Sequence, residues 1–535
     1  MTNSIEIPKD GLAGLKQNWK SDIVSGFILF LIALPLCLGI ALASGVPPMA
    51  GIISAIVGGI LVSQISGSFV TVNGPAAGLI VVVLSSVERL GGGGAGYHST
   101  LAAITISGAI LCVLGLCKAG KLGDFFPASV VHGMLAAIGV IIMAKQLPFV
   151  LGVKPPASEP LQLIADIPTM VGSLNPEIAL IGLLSLVIMI SHARMRNKII
   201  KRIPAPIIVV VVAIALGSYF DLRDPHTDVI GHRTIYIDPK FLVSVPLHFL
   251  DGIKSPDYRQ IASYQFWLSV FSITLVQGIE SLLSCAAVDK LDPFKRNSNL
   301  SRDLAAVGFG SVLSGLIGGL PMIAEIVRST ANVANNARTR WSNFFHGFFM
   351  LVFVLTAATL INRIPLASLA ALLVFTGYRL GSPKVFKETH EIGVDQTIIF
   401  LATLVGTLVT DLLIGVSIGI GTKLAIHLLK GAPISRLFTA TVIVSTENEN
   451  AYIVIIKDAA IFSNYLSLKI KLLEIPPRMH LTLDLSSAKL VDHTVMEHLH
   501  NFGENYSREG GQFTIIGLEN HQSASAHPLA ARRLC

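Results

Sequence analysis

The stretch GGLPMIAEIVRSTAN, Gly318–Asn332, holds an acid and a base three residues apart, Glu325 and Arg328, just after a Gly-Gly pair and a proline. Its surroundings are apolar. Ionisable groups inside an apolar span are costly and normally face a polar cavity or a partner. A second acid, Glu280, lies within VQGIESLLSCAAVDK, Val276–Lys290, where Gln277, Glu280 and Ser284 recur at helical spacing on one face. Two carboxylates facing each other in a bundle form a place for a proton or a small cation. An arginine beside them adds positive potential for an anion. The residues therefore point to an anion bound together with a coupling ion, with Arg328 serving the substrate's charge and Glu280 and Glu325 the coupling ion. Two plainer readings compete. Glu280 would be a structural glutamate hydrogen-bonded between helices, and Glu325–Arg328 a local i,i+3 ion pair that only stabilises a broken helix.

Such residues need a membrane scaffold. Of 535 residues, 52% are hydrophobic and 14% charged, and the mean hydropathy is +0.68. Runs of about 18 or more apolar residues mark membrane spans. Fourteen are expected, near 22–43, 48–65, 73–88, 99–117, 127–147, 177–193, 204–220, 264–286, 302–319, 321–335, 343–361, 365–379, 394–411 and 412–429. The first lacks the short core and cleavage site of a secretory signal and is expected to stay in the protein. Lys and Arg concentrate after even-numbered spans, as in HARMRNKIIKR, His192–Arg202, and DKLDPFKRNSNLSR, Asp289–Arg302. The positive-inside rule then places both termini in the cytoplasm. Net charge is +7; in a membrane protein this reflects cytoplasmic loops, and no nucleic-acid partner is expected.

Fourteen spans divide into seven plus seven. Seven is odd, so the second copy must enter from the opposite side, which is an inverted repeat. The third and tenth spans hold equivalent places. Both are short and start with Gly or Asn beside proline, TVNGPAAGLIVVV, Thr71–Val83, and GGLPMIAEIV, Gly318–Val327. Broken helices at matching positions point to a site at mid-membrane, where unpaired amides and a positive dipole end suit a small anion. The alternative is two ordinary helices with a first-turn proline. The substrate-binding residues expected here are Gly74, Pro75, Ala76, Ala77 and Gly78 with Glu325, Ile326, Val327 and Arg328.

Beyond Lys430 the pattern changes to alternating strands and amphipathic helices, AYIVIIKDAAIF, SNYLSLKIKLLE, HLTLDLSS, DHTVMEHLHNFGEN and GQFTIIGL. This reads as a small cytoplasmic α/β domain. The expected organisation is a cytoplasmic segment at 1–21, a transport domain at 22–430 and the α/β domain at 436–535. The five cysteines show no metal or disulfide spacing. His493, His498 and His500 are poorly spaced for a metal, and LGGGGAG, Leu90–Gly96, lacks the ending of a phosphate loop and reads as a flexible outer loop. No nucleophile–base pair is evident. Neither an enzyme nor a cofactor is expected, and no metal.

Several motifs resemble the sulfate permease (SulP) family: SGVPPMAGI, Ser44–Ile52; GIESLLSCAAVDK; GGLPMIAEIVRSTANV; and NARTRW. The segment LDLSSAKLVDHTVMEHL, Leu483–Leu499, is similar to that family's C-terminal STAS domain. The resemblance implies an α-helical polytopic membrane protein with fourteen spans in a seven-plus-seven inverted repeat. Spans one to four and eight to eleven would form a core domain, the others a gate domain, with an α/β STAS-like tail. It implies elevator-type transport of sulfate, bicarbonate, chloride or dicarboxylates, and a homodimer. Glu280 matches the acidic coupling position, Ser284 the hydroxyl one turn later, Gly74, Pro75 and Ala76 the third-span helix start, and Arg328 the tenth-span arginine. Asp492 and Thr494 fall near the phosphorylated position of bacterial STAS regulators.

Two departures bear on the substrate. Leu36 follows Pro35 where many members have glutamine, and Glu325 stands where a small residue is common. A carboxylate there would repel a divalent anion. It also resembles the related nucleobase–proton symporters, which favours H+ over Na+ as the coupling ion. The expectation is a secondary active transporter of bicarbonate, chloride or sulfate in lipid, in the cell's inner (plasma) membrane. The alternatives are a dicarboxylate or nucleobase–proton symporter, and a non-transporting sensor or scaffold.

Overall fold

The computed structural model describes residues 7–155, 159–197, 203–230, 233–448 and 450–535. Residues 1–6 of the N-terminal segment and 198–202 of the basic loop after the sixth span lie outside the described residues. Helices cover the expected spans: α1 Gly11–Ala43, α2 Pro48–Val57, α3 Ile80–Arg89, α4 Gly93–Leu116, α5 Ala128–Leu151, α6 Pro176–Arg194, α7 Ala205–Tyr219, α8 Tyr264–Leu291, α9 Leu300–Leu316, α10 Ile326–Ala334, α11 Trp341–Ile361, α12 Leu366–Leu380, α13 Val394–Val409 and α14 Leu412–Leu429. Among the described residues, seven helices are long and apolar enough to cross a membrane alone. The α3 and α10 helices have only 10 and 9 residues. At 1.5 Å per residue each reaches about half of a 30 Å hydrocarbon layer.

Two boundaries differ from the sequence expectation. Helix α1 starts at Gly11, capped by the Asp10 carboxylate. Its first turns are polar, so a hydropathy test passes over them. They are held by the loop before α11: Arg340 pairs with Asp10 at 2.8 Å, and the buried Asp22 accepts from Thr339 Oγ1 at 2.5 Å. The expected flexible loop at Leu90–Gly96 is tighter than read. Gly91, Gly92 and Gly93 take positive φ, and α4 begins at Gly93.

The chain forms two compact units, one of residues 1–120 and 138–379, the other of 121–137 and 380–535. In the first unit α1 packs on α2, α10 and α11, and α8 packs on α3, α4, α9 and α10. Small residues allow close approach: a Cβ at Gly347 of α11 would come within 2.8 Å of the Gly59 Cα in the π-helical turn Gly58–Val62 that extends α2. Tight contact of this kind supplies the packing that binds helices in lipid, where burial of apolar surface gives no drive.

The second unit carries α13, α14 and the tail. The tail's strands, Thr441–Asn448, Ala451–Ala460, His480–Val491, Gln512–Ile516, His521–Ser523 and Arg532–Leu534, form one mixed sheet. The central strand His480–Val491 pairs in parallel with Ala451–Ala460 and Gln512–Ile516. The two short C-terminal strands also join the sheet. Helices α15, Tyr465–Leu473, and α16, His493–Arg508, pack Leu468, Leu472, Val495 and Leu499 into its core.

The Gly59–Gly347 approach predicts that Gly347→Ala destabilises the protein by about 1–3 kcal/mol, the usual cost of overpacking. Gly172→Ala, where a Cβ meets nothing within 4 Å, should be nearly neutral. Apparent unfolding temperatures in detergent check the pair.

Candidate functional site

The chain before α3 and the chain before α10 meet as two short antiparallel strands. In β1, Asn73–Gly74, Asn73 lies opposite Ala324 and Gly74 opposite Ile323 of β2, Ile323–Ala324. Further bonds lace them together: the Glu325 N–H donates to the Val72 carbonyl at 2.8 Å, the Val72 N–H to Ser329 Oγ at 2.9 Å, and the Asn332 amide to the Val70 carbonyl at 2.9 Å. These segments hold glycine and proline and have little strand propensity. They pair because unwound backbone within a membrane must find partners inside the protein. Helix α8 supports the crossing. Gln277 Nε2 donates to the Met322 carbonyl at 2.7 Å, and Ser281 Oγ accepts from the Ala324 N–H at 3.3 Å.

Glu280 projects from α8 to the start of α3. It is 6% exposed, and a Cβ on Gly78 would overlap its carboxylate. Glycine at 78 is what leaves room for the acid. Its Oε1 is buried and accepts no hydrogen bond among the described residues. Pro75 and Ala76 are buried, Ala76 caps the 3-10 turn Ala77–Leu79, and that turn leads into α3.

Glu325 is the N-cap of α10. Its side chain accepts from the Arg328 N–H at 2.5 Å, and Oε2 lies 3.5 Å from Arg328 Nε. The local ion pair expected from sequence is therefore present, but Arg328 does more. Its side chain is 1% exposed, its Nη2 donates to the Pro75 carbonyl, and its Nη1 lies 3.5 Å from Cys37 Sγ. A Cβ at Gly74 would come within 2.9 Å of Nη1. The guanidinium thus bridges the two helix starts. Val327 is half-buried and Ile326 is exposed at the α10 start.

Ser284 is half-buried, and none of the described hydrogen bonds involves it; Ser281, one position after Glu280, touches β2 instead. Leu36 is half-buried against the apolar core. Sequence reasoning missed Cys37, Ser281, Ser329 and Ser311, whose Oγ accepts from Gln277 Nε2 and from the Met322 N–H; these are small residues whose spacing carries no signal. It also missed His346 on α11, fully buried, with neither ring nitrogen hydrogen-bonded among the described residues.

The tail residues Asp492 and Thr494 lie in a buried cluster with α14. Lys423 Nζ is 3.1 Å from Asp492 Oδ2 and donates to Thr494 Oγ1 at 2.6 Å, while His427 Nε2 is 3.5 Å from the same carboxylate. Asp492 also accepts from the Val495 N–H, capping α16, and from the Phe462 N–H. Lys423 is 0% and Asp492 1% exposed. Burial alone would raise the Asp492 pKa; Lys423 first, then His427 and the two N–H groups, outweigh it and hold the acid below its ordinary 3.8. The three helix histidines have separate partners. His493 bonds the Leu529 carbonyl, His498 stacks on Tyr465 and His500 pairs with Glu504. No metal-type cluster occurs among the described residues.

Fourteen spans with two facing half-helix starts define a multi-pass membrane protein of transporter architecture. The chain belongs to the sulfate permease family, whose model matches residues 19–403. It is 26% identical over 518 residues to the putative sulfate transporter YvdB of Bacillus subtilis, covering 96% of this chain and 94% of that one. It is 24% identical to the bicarbonate transporter BicA of a Picosynechococcus species, over 76% of this chain and 69% of that one. The murine Slc26a9 anion transporter, solved in an inward-facing state, shares the fold at a TM-score of 0.66 and 16% identity, over 93% of this chain and 85% of that one.

The Lys423–Asp492 pair predicts that Lys423→Met costs about 3–5 kcal/mol, because a buried charge loses its partner. Adding Asp492→Asn should recover much of this. Because the folded-state pKa of Asp492 is depressed, its stabilising effect is fully present above about pH 4. It is lost as pH falls through the lowered folded value. Unfolding temperatures of the detergent-solubilised protein against pH check both statements, with Asp492→Asn expected to flatten the acid limb.

Proposed function

We propose that this protein is a secondary active transporter of a small inorganic anion, with bicarbonate or chloride ahead of sulfate, coupled to H+. The reading rests on the antiparallel joining of the two half-helix starts with an unpartnered carboxylate oxygen of Glu280 at Gly78. The names of the relatives, a bicarbonate transporter and a putative sulfate transporter, support the substrate class. In this reading the anion takes the backbone N–H groups at Ala76, Ala77 and Gly78 on one side and at Ile326 and Val327 on the other. Both helix starts turn their positive ends to it. Arg328 holds the two starts together from behind, its charge answered by Glu325. Glu280 carries the proton, and Glu325 shapes the field of the site. Alternating access is of elevator type, in a homodimer in the cell's inner membrane, with the tail on the cytoplasmic side.

Purified protein in proteoliposomes tests this, with labelled bicarbonate, chloride and sulfate offered under imposed anion and pH gradients. Uptake of at least one monovalent anion, accelerated by an inward proton gradient, is expected. Glu280→Gln should lose the acceleration at least tenfold. Absence of flux for every anion in every gradient sinks the proposal, and an unchanged proton response in Glu280→Gln removes Glu280 from the coupling.

A further inference from the structure

The start of α10 already holds an anion belonging to the chain. Glu325 caps it through the Arg328 N–H and lies against the same residue's guanidinium. With its side chain 16% exposed, it sits at the margin of the site rather than sealed behind it. The other guanidinium nitrogens of Arg328 are engaged by the Pro75 carbonyl and Cys37 Sγ. The positive end of α10 and its arginine are therefore largely neutralised from within. At the opposite start, the Glu280 carboxylate lies against Gly78, 6% exposed and with Oε1 unpartnered. Glu325 and Arg328 cancel, and Glu280 remains as the unbalanced charge.

An incoming anion thus meets a site that is neutral when Glu280 is protonated and negative when it is not. Coulomb energy scales with the charge of the ligand, so a dianion suffers twice the repulsion of a monoanion. The helix-start N–H groups can offset one negative charge, yet part of that capacity at α10 is already used by Glu325. We propose that Glu325 acts as a tethered competing anion which restricts the site to monovalent anions, and that a neutral cap in its place admits dianions. This rests on the transport reading above and adds the residue that sets the substrate's charge class.

Glu325→Ser is the informative change, since serine also caps helices well while removing the charge. Glu325→Gln, closer in size, stands in if the serine variant does not fold. In proteoliposomes at one pH, the wild type should carry chloride or bicarbonate with sulfate at background. The variant should raise the ratio of sulfate to monovalent uptake at least tenfold. A variant that carries the monovalent anion with sulfate still at background overturns the proposal, as does a wild type that carries sulfate equally well. A wild type with no flux at all refutes the transport reading instead. In that case thermal unfolding of the solubilised proteins in sodium sulfate, against sodium chloride at matched ionic strength, decides the charge question by itself. Stabilisation by sulfate of the variant alone supports a charge filter at Glu325, and equal responses overturn it.

Discussion

Unwound backbone in the middle of a membrane has no water to bond with, and the rest of this structure follows from how that demand is met. The segments before α3 and α10 satisfy each other as β1 and β2, with Asn73 opposite Ala324 and Gly74 opposite Ile323. Neither could be left unwound alone, because every unpaired N–H or carbonyl in hydrocarbon costs several kcal/mol, a toll of roughly that size per group. Once they pair, two helix starts are fixed at one place. Gln277 and Ser281 of α8, Ser329 and Asn332 of α10, and the guanidinium of Arg328 hold that crossing from several directions. A rigid support of this kind is what a binding site made of backbone amides requires, since such amides cannot be repositioned by a rotamer change.

The charges follow the same geometry. Carboxylates from two different helices lie at the two starts, Glu280 against Gly78 and Glu325 as the cap of α10. The arginine answers one of them and the carbonyl of Pro75 as well. Acid and base three residues apart in an apolar segment thus do different work: the acid ends one helix, and the base ties that helix to its counterpart. The tail repeats the pattern in another setting. Asp492 ends α16 and also answers Lys423 and His427 of α14, so a cap and an ion pair share one carboxylate. A buried ion pair gives little net stability by itself but fixes a single arrangement, because either charge left alone is strongly unfavourable.

Much of the fold was legible in advance because its causes are local. Fourteen apolar segments, the alternation of basic loops and the short third and tenth spans are properties of neighbouring residues, and each helix falls where its segment was read. The polar turns of α1 before Asp22 were not legible, since their helix is held by Thr339 and Arg340, more than three hundred positions away in the chain. In the site, Glu280, Glu325 and Arg328 stood out because charge is conspicuous among apolar residues. Ser281, Ser329 and Cys37 did not, because a small residue in a helix looks the same whether it faces lipid, packing or a backbone amide.

The sequence by itself determined the membrane class, the number of spans, the two broken helices and the presence of an α/β tail, all of which depend on composition and on periodicity over some twenty residues. Only the tertiary structure decided that Gly78 makes room for Glu280, that Arg328 reaches Pro75 rather than open space, and that Asp492 meets Lys423. Those are facts of distance between segments remote in the chain. They are settled by which backbone groups must pair once water is excluded, a condition that no single stretch of residues carries within itself.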